Sequence, residues 1–170
     1  MASLMEELIS SFETEITEYG KLVELSKKKT PIIVKGDIEA LEKLTEEESD
    51  LTSKIKNIDN FRIAKTVEIA NVLNKKTEEM TLTNLIELMD TRPEEQKRLA
   101  DIKERITSVL GELKKVNEQN EVLINQAMEM VEFDLTLFRS LRQAPETANY
   151  DKRAYNTGTL LGGGGFDASQ

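Results

Sequence analysis

Cysteine, histidine and tryptophan do not occur in this sequence of 170 residues, and only three prolines interrupt it. Without cysteine there are no disulfides, thiolate metal sites or cysteine nucleophiles. Without histidine the chain lacks the commonest general base near neutral pH and the commonest metal ligand. Glycine is nearly as scarce along the body of the chain, because five of the eight glycines fall within residues 158–170. Aromatic residues make up 5% against 32% charged, a balance too polar for a thick globular core and suited to helices that each bury one stripe. No apolar run approaches the roughly 20 residues needed to span a bilayer. Met1 to Ser10 carries Glu6 and Glu7 and no basic segment, unlike a signal peptide. A net charge of -9 disfavours nucleic acid as a direct partner, since phosphate backbones require concentrated Lys and Arg. The expectation is a cytoplasmic helical protein of one ordinary domain's length, with no membrane insertion and no nucleic acid bound.

Catalytic constellations are poorly represented for the same reasons. Glu46, Glu47, Glu48 and Asp50 form a carboxylate cluster, but the E-x-x-H element of dimetal bundles has no histidine to complete it. A solvated acidic helix face is the reading that remains. The glycines at 162–165 are not followed by Lys and Ser or Thr, so they are no phosphate loop. No enzymatic activity, cofactor or metal is expected.

What the chain does contain is helical periodicity. Met5, Leu8, Phe12, Ile16, Tyr19, Leu22 and Val23 recur every three or four residues, and Ser3 with Glu6 spells a capping box, predicting a helix over 4–34. Pro31 is expected to kink or fray its last turn before Gly36 stops it. Asp37 then caps a second helix over 37–75, whose stripe from Ile38 to Val72 is broken by Glu48 and Lys65. Thr81 caps a short helix over 82–90, with Met80 and Leu85 placed as a hydrophobic staple. Thr91 opens the last helix, over 92–143, with Pro93 in its first turn and Glu94 at the third position. After Gln143 the apolar period disappears, and residues 144–170 read as a flexible C-terminal tail following a helical domain over 1–143. The predicted fold is all-α: an elongated antiparallel helical bundle or coiled coil of three long helices and one short one.

The last helix keeps a heptad seam. Its a positions are Leu99, Ile106, Leu113, Asn120, Ala127, Asp134 and Leu141, and its d positions Ile102, Val109, Val116, Leu123, Met130 and Leu137. Only Asn120 and Asp134 are not apolar, which sustains a coiled-coil-like seam in which Met130 and Leu137 are expected to be core. The last helix outruns its partners, so part of it must overhang, pair with the short helix or meet another chain. Twelve of the twenty residues from Val122 to Leu141 are apolar, among them Met128, Phe133 and Leu135 at b and g positions off the seam. Such a helix either covers a bundle end or waits for a partner. Val122, Met128, Val131, Phe133, Leu135 and Phe138 are therefore candidate partner-binding residues. Asn117 and Asn120 have two readings, one as a register device within the bundle and the other as a recognition element.

Three segments carry a resemblance that composition does not. Tyr19 to Lys29 (YGKLVELSKKK), Val34 to Glu48 (VKGDIEALEKLTEEE) and above all Asn117 to Met128 (NEQNEVLINQAM) occur in the order and spacing of the FlgN family of flagellar export chaperones. The sequence resembles that family over essentially its whole length, with Ala127 where the family tends to have Ser. The family's tail Tyr and nearby Gly have counterparts in Asn149 to Gly158, where Tyr150 and Tyr155 compete for the role. The resemblance implies a non-enzymatic chaperone that holds the C-terminal helical region of hook-associated proteins such as FlgK and FlgL. It implies delivery to the cytosolic domain of the export-gate protein FlhA, with Tyr150 or Tyr155 as the gate contact. A structural coiled-coil scaffold or spacer that homodimerises is the competing expectation, and weak homodimerisation is compatible with either.

Overall fold

A computed structural model of the chain describes the backbone of residues 2–162 and the side chains of residues 2–143. Four helices follow one another: α1 (Ala2–Lys35), α2 (Ile38–Val72), α3 (Leu82–Leu88) and α4 (Pro93–Gly162), with a 3-10 turn at Thr77–Glu79. No strand occurs among the described residues. The chain divides into two units, Met1–Asn125 and Gln126–Gln170. The first unit is a bundle of α1, α2, α3 and the opening part of α4.

Two helix ends set its topology. Gly36 takes a left-handed φ of 69°, its N–H donates to Ile33 O (3.1 Å), and the Asp37 N–H donates to Ile32 O (3.2 Å). This paired closure satisfies the last carbonyls of α1 with a residue that has no Cβ to clash. Asp37 Oδ1 then accepts from the Ala40 N–H (3.1 Å), so a two-residue link ends one helix and starts the next. The expected fraying at Pro31 does not occur, and α1 remains helical to Lys35. Burial of Ile33 in the following turn and the Gly36 closure hold the segment despite the lost hydrogen bond. α2 ends at Val72, short of 75, because Asn74 adopts φ 52° and the Lys75 N–H turns back to Ala70 O (2.9 Å). Asn is the residue after Gly that best tolerates this position.

Two predicted caps are replaced. Ser3 lies inside α1, which starts at Ala2, and its capping-box partner Glu6 instead receives both terminal nitrogens of Arg98 (2.7 and 3.0 Å). Arg92, not Thr91, precedes α4 and its carbonyl accepts the first helical bond from Gln96 (3.0 Å). Thr81 does cap α3, accepting from the Asn84 N–H (3.2 Å), while Met80 and Leu85 are both buried. The backbone of α4 continues past Gln143 to Gly162. Losing the apolar period removes a packing face without removing helix formers, and Ala144, Glu146, Ala148, Lys152, Arg153 and Ala154 are among the latter. The expected flexibility of residues 144–170 and the role of the glycine run concern side chains, and beyond Gly162 a backbone, outside the described residues.

The core occupies one end of the first unit. Met5, Leu8, Ile9 and Phe12 of α1 pack with Ile69 and Ala70 of α2, Met80, Leu85 and Met89 around α3, and Leu99 and Ile102 of α4. Along the remainder of α2 only Ile55 is a buried apolar residue, so apolar burial alone does not fasten that helix. Charges do. Glu7 pairs with Lys65 (2.9 Å), Glu15 with Arg62 (3.0 Å), Glu18 with Lys54 (2.9 Å) and Lys29 with Glu48 (2.8 Å). Rising numbers on α1 meet falling numbers on α2, which defines the antiparallel register. Glu48 and Lys65, the two breaks in the α2 stripe, are therefore rungs of an inter-helix ladder. Arg62 also pairs with Asp59 and sits over the Phe12 ring at 5.0 Å, so its apolar plane is used as well as its charge.

The two buried carboxylates on α1 respond oppositely to their surroundings. Burial pushes the Glu15 carboxyl above its ordinary range, with Arg62 opposing that shift. Hydrogen bonds from Lys54 and Lys21 hold the Glu18 carboxyl below it. A lowered folded-state value contributes stability that is present above the ordinary carboxylate range and lost as pH falls through the lowered value. A raised value acts in reverse, contributing stability at acid pH that is lost as pH rises through it. We therefore expect Glu18→Gln to fall behind the wild type progressively as pH rises from about 3 to 7, and Glu15→Gln to gain on it over the same window. Chemical denaturation at several pH values distinguishes these slopes, and slopes of the same sign would contradict the assignment.

Candidate functional site

α4 runs parallel to α1, from Arg98 beside Glu6 to Lys27 beside Glu112 (2.6 Å). Beyond that point the contacts become a neutral polar lock. Ser26 Oγ donates to Asn117 Oδ1 (3.0 Å), Thr30 Oγ1 donates to Asn120 Oδ1 (2.6 Å), and Asn120 Nδ2 donates to the Ser26 carbonyl (2.8 Å). Asn120 is only 5% exposed, and both ends of its amide are satisfied. A buried amide that makes these bonds in one alignment penalises slippage of α4 by a turn, since a shifted register would leave it unpaired. Ser26 and Thr30 are the functional partners that sequence reasoning missed. Their signal was the i, i+4 continuation of the α1 stripe beyond Leu22 in hydroxyl side chains, which mirrors the Asn pair on α4.

The seam of α4 is buried only where α1 receives it. Leu99 and Ile102 are fully enclosed and Ile106 partly so. Asn120 lies level with Thr30, five residues before α1 ends at Lys35, and from Val122 onward no described side chain is buried; Leu123 and Ile124 remain half-buried. This corrects the expectation that Met130 and Leu137 are core. Leu137 is 50% exposed and Phe133 66%, so seam and off-seam residues stand equally open. The cause is a length mismatch: a helix of 70 residues has an intramolecular partner of 34.

The six sequence candidates, Val122, Met128, Val131, Phe133, Leu135 and Phe138, are all exposed, as are Met130 and Leu141. Arg142 lies 5.8 Å from the Phe138 ring centroid, the one basic side chain seen over an aromatic ring of this stretch. At 100° per residue the apolar side chains cover about two thirds of the helix circumference, leaving a polar strip formed by Asn125, Glu129, Glu132, Thr136, Arg139 and Gln143. Tyr150 and Tyr155 lie on the α4 backbone, with side chains outside the described residues.

Elsewhere the surface offers little chemistry. A cleft of about 310 Å³ in the first unit is bounded by Phe12, Glu15, Tyr19, Arg62, Leu85 and Ile106. Its charged groups are already paired with each other. Among the described residues no group of three or more acidic side chains is arranged to hold a metal ion, and no helix is long and apolar enough to cross a membrane.

Comparison with known families decides the relationship. The family model FlgN, described as FlgN protein, matches residues 1–158. The chain belongs to the FlgN family. No curated protein and no solved structure matches it. FlgN membership supports a general chaperone role. The FlgN match takes in the Asn117–Asn120 lock, the exposed stretch and both tail tyrosines, and it stops before the glycines at 162–165.

Burial separates the two halves of the α4 seam energetically. Leu99→Ala, at a fully enclosed site, should cost about 2–5 kcal/mol of stability. Leu137→Ser, at a d position of the same seam, should cost less than about 1 kcal/mol. Asn120→Ala should cost roughly 1–3 kcal/mol by removing its hydrogen bonds to Thr30 Oγ1 and the Ser26 carbonyl. Urea denaturation of the three variants checks the order, and a Leu137→Ser loss as large as that of Leu99→Ala would show that the distal seam is enclosed after all.

Proposed function

We propose that this FlgN-family chain is a stoichiometric export chaperone whose client lies along α4 from Val122 to Leu141. The observation that carries the proposal is the exposure of apolar side chains around most of the helix circumference over that stretch. Water-exposed apolar surface of this extent is costly unless a partner covers it, and an amphipathic client helix offers the matching surface. Met128 and Met130 suit the role, because unbranched thioether side chains repack against helices of differing shape. The clients are the C-terminal helical regions of flagellar hook-associated proteins, FlgK-like and FlgL-like. Covering their apolar stripes blocks premature assembly by occupying the face through which they self-associate. No nucleotide is required, since release follows from competition by another partner for the same surface. Delivery proceeds through the cytosolic domain of FlhA, with Tyr150 as the first-choice contact and Tyr155 as the second. Asn117 and Asn120 act as a register device; their hydrogen bonds to α1 support that assignment over direct recognition.

Phe133→Ser and Val131→Ser should each leave thermal unfolding nearly unchanged and weaken binding to a client C-terminal helical segment by about 2 kcal/mol, the size expected of an interface anchor. Isothermal titration beside a melting curve makes the comparison. Intact binding by both variants would move the client elsewhere, while a concentration-dependent dimer abolished by the same substitutions would favour the scaffold reading. Tyr150→Ala should retain client affinity within about threefold, less than 1 kcal/mol, while losing affinity for the FlhA cytosolic domain. Unchanged gate binding in both Tyr150→Ala and Tyr155→Ala would reject the tyrosine assignment.

A further inference from the structure

Of the thirteen a and d positions of α4, two are not apolar, and the structure treats them differently. Asn120 is buried, and α1 supplies a donor, Thr30 Oγ1, and an acceptor, the Ser26 carbonyl, for its amide. Asp134 follows two heptads later in the same column and is exposed, and among the described residues it makes neither an ion pair nor a side-chain hydrogen bond. Its neighbours one turn away on the helix, Met130, Val131, Leu137 and Phe138, are all apolar and exposed. The other carboxylates of the stretch, Glu129 and Glu132, belong to the polar strip on the far side of the helix. Asp134 alone stands near the middle of the apolar arc.

A helix laid over that arc would bury Asp134 together with the four side chains around it. A carboxylate taken out of water without a partner destabilises the complex strongly, whereas one that meets a cation of good geometry specifies the alignment. No lysine or arginine of α4 lies three or four residues from Asp134 to supply that cation from its own helix. We infer that the partner helix carries one lysine or arginine within its apolar stripe, and that this residue pairs with Asp134 and sets both choice and register of the bound helix. Asp134 is then a specificity-determining residue, answered by the partner as Asn120 is answered by α1. This inference rests on the docking face proposed above.

The test uses the full chain and the C-terminal helical segment of a hook-associated protein in which each Lys and Arg is changed in turn to Glu. One of these changes should weaken binding to the wild-type chain by about 30-fold or more, and Asp134→Lys should recover at least about tenfold on that same segment while binding the unaltered segment more weakly. The inference is overturned if every charge change stays within about threefold, if Asp134→Lys binds the unaltered segment as tightly as the wild type, or if a loss is not recovered by Asp134→Lys. Phe133→Ser separates the two levels. Loss of binding in Phe133→Ser with no effect at Asp134 removes this inference and leaves the docking face, whereas wild-type binding by both Phe133→Ser and Val131→Ser removes the face and the inference with it. Asp134 is exposed, so circular dichroism of Asp134→Lys should match the wild type and report directly on the surface charge.

Discussion

The first unit depends on one helix offering different chemistry to two neighbours. α1 buries eleven residues, and three of its buried polar ones, Glu15, Glu18 and Ser26, are addressed from outside by Arg62, Lys54 and the two Asn residues of α4. α2 is held to it by Ile69 and Ala70 in the shared core and by a ladder of ion pairs along its length, and α4 by apolar contacts at one end and amides at the other. An apolar stripe admits slippage by a turn at modest cost, while a buried carboxylate or amide without its partner is strongly penalised. Alignment is thus specified by the polar positions, and cohesion is supplied by the Met5 to Ile102 cluster.

The same division explains where the structure stops enclosing α4. The heptad seam continues along it past Asn120, so the seam itself does not mark the end of the bundle, although apolar side chains off the seam become frequent from Val122 onward. The end is set by the length of α1 and by the Gly36 closure. A chain that ends its partner helix early leaves an adhesive helix face by construction. Met128, Phe133 and Leu135, off the seam, widen that face beyond what a continued stripe alone would give. This gives a physical basis for the docking face proposed above, which needs no pocket to present apolar surface.

Much of the fold was legible in the sequence because helix capping and stripe periodicity are local. Gly36, Asp37 and Thr81 act as their chemistry predicts. Ser3 failed as a cap because Glu6, its supposed partner, makes a two-bonded contact with Arg98, a residue far along the chain that no local pattern reveals. Thr91 failed because Pro93 and the Arg92 carbonyl place the first helical bond one residue later. Burial of Met130 and Leu137 was inferred wrongly because heptad position reports which side chains share a face and not whether a neighbour is present to cover them. The exposed residues from Val122 to Phe138 were identifiable from surplus hydrophobicity, whereas Ser26 and Thr30 carried only the weak signal of their i, i+4 spacing from Leu22, since hydroxyl side chains in a helix are ordinarily neutral. The tail tyrosines rest on family likeness alone.

The two-residue link at Gly36 and Asp37 also bears on how the chain acquires this arrangement. Contacts between α1 and α2 begin nineteen residues apart at Lys29 and Glu48 and pass through forty-seven at Glu15 and Arg62 to the wider Glu7–Lys65 pair, whereas the amide contacts of Ser26 with α4 close loops of more than ninety residues. Loop-closure entropy favours the hairpin zipping outward from its turn, with α4 docking onto a surface already formed. On this order the α1–α2 hairpin is the template and α4 the late arrival. Pulsed hydrogen exchange during refolding would record protection around Gly36 before protection around Asn120. For a protein made on a ribosome, that order also means that the adhesive part of α4 is synthesised only after its template is complete, so the apolar face emerges from an otherwise folded chain.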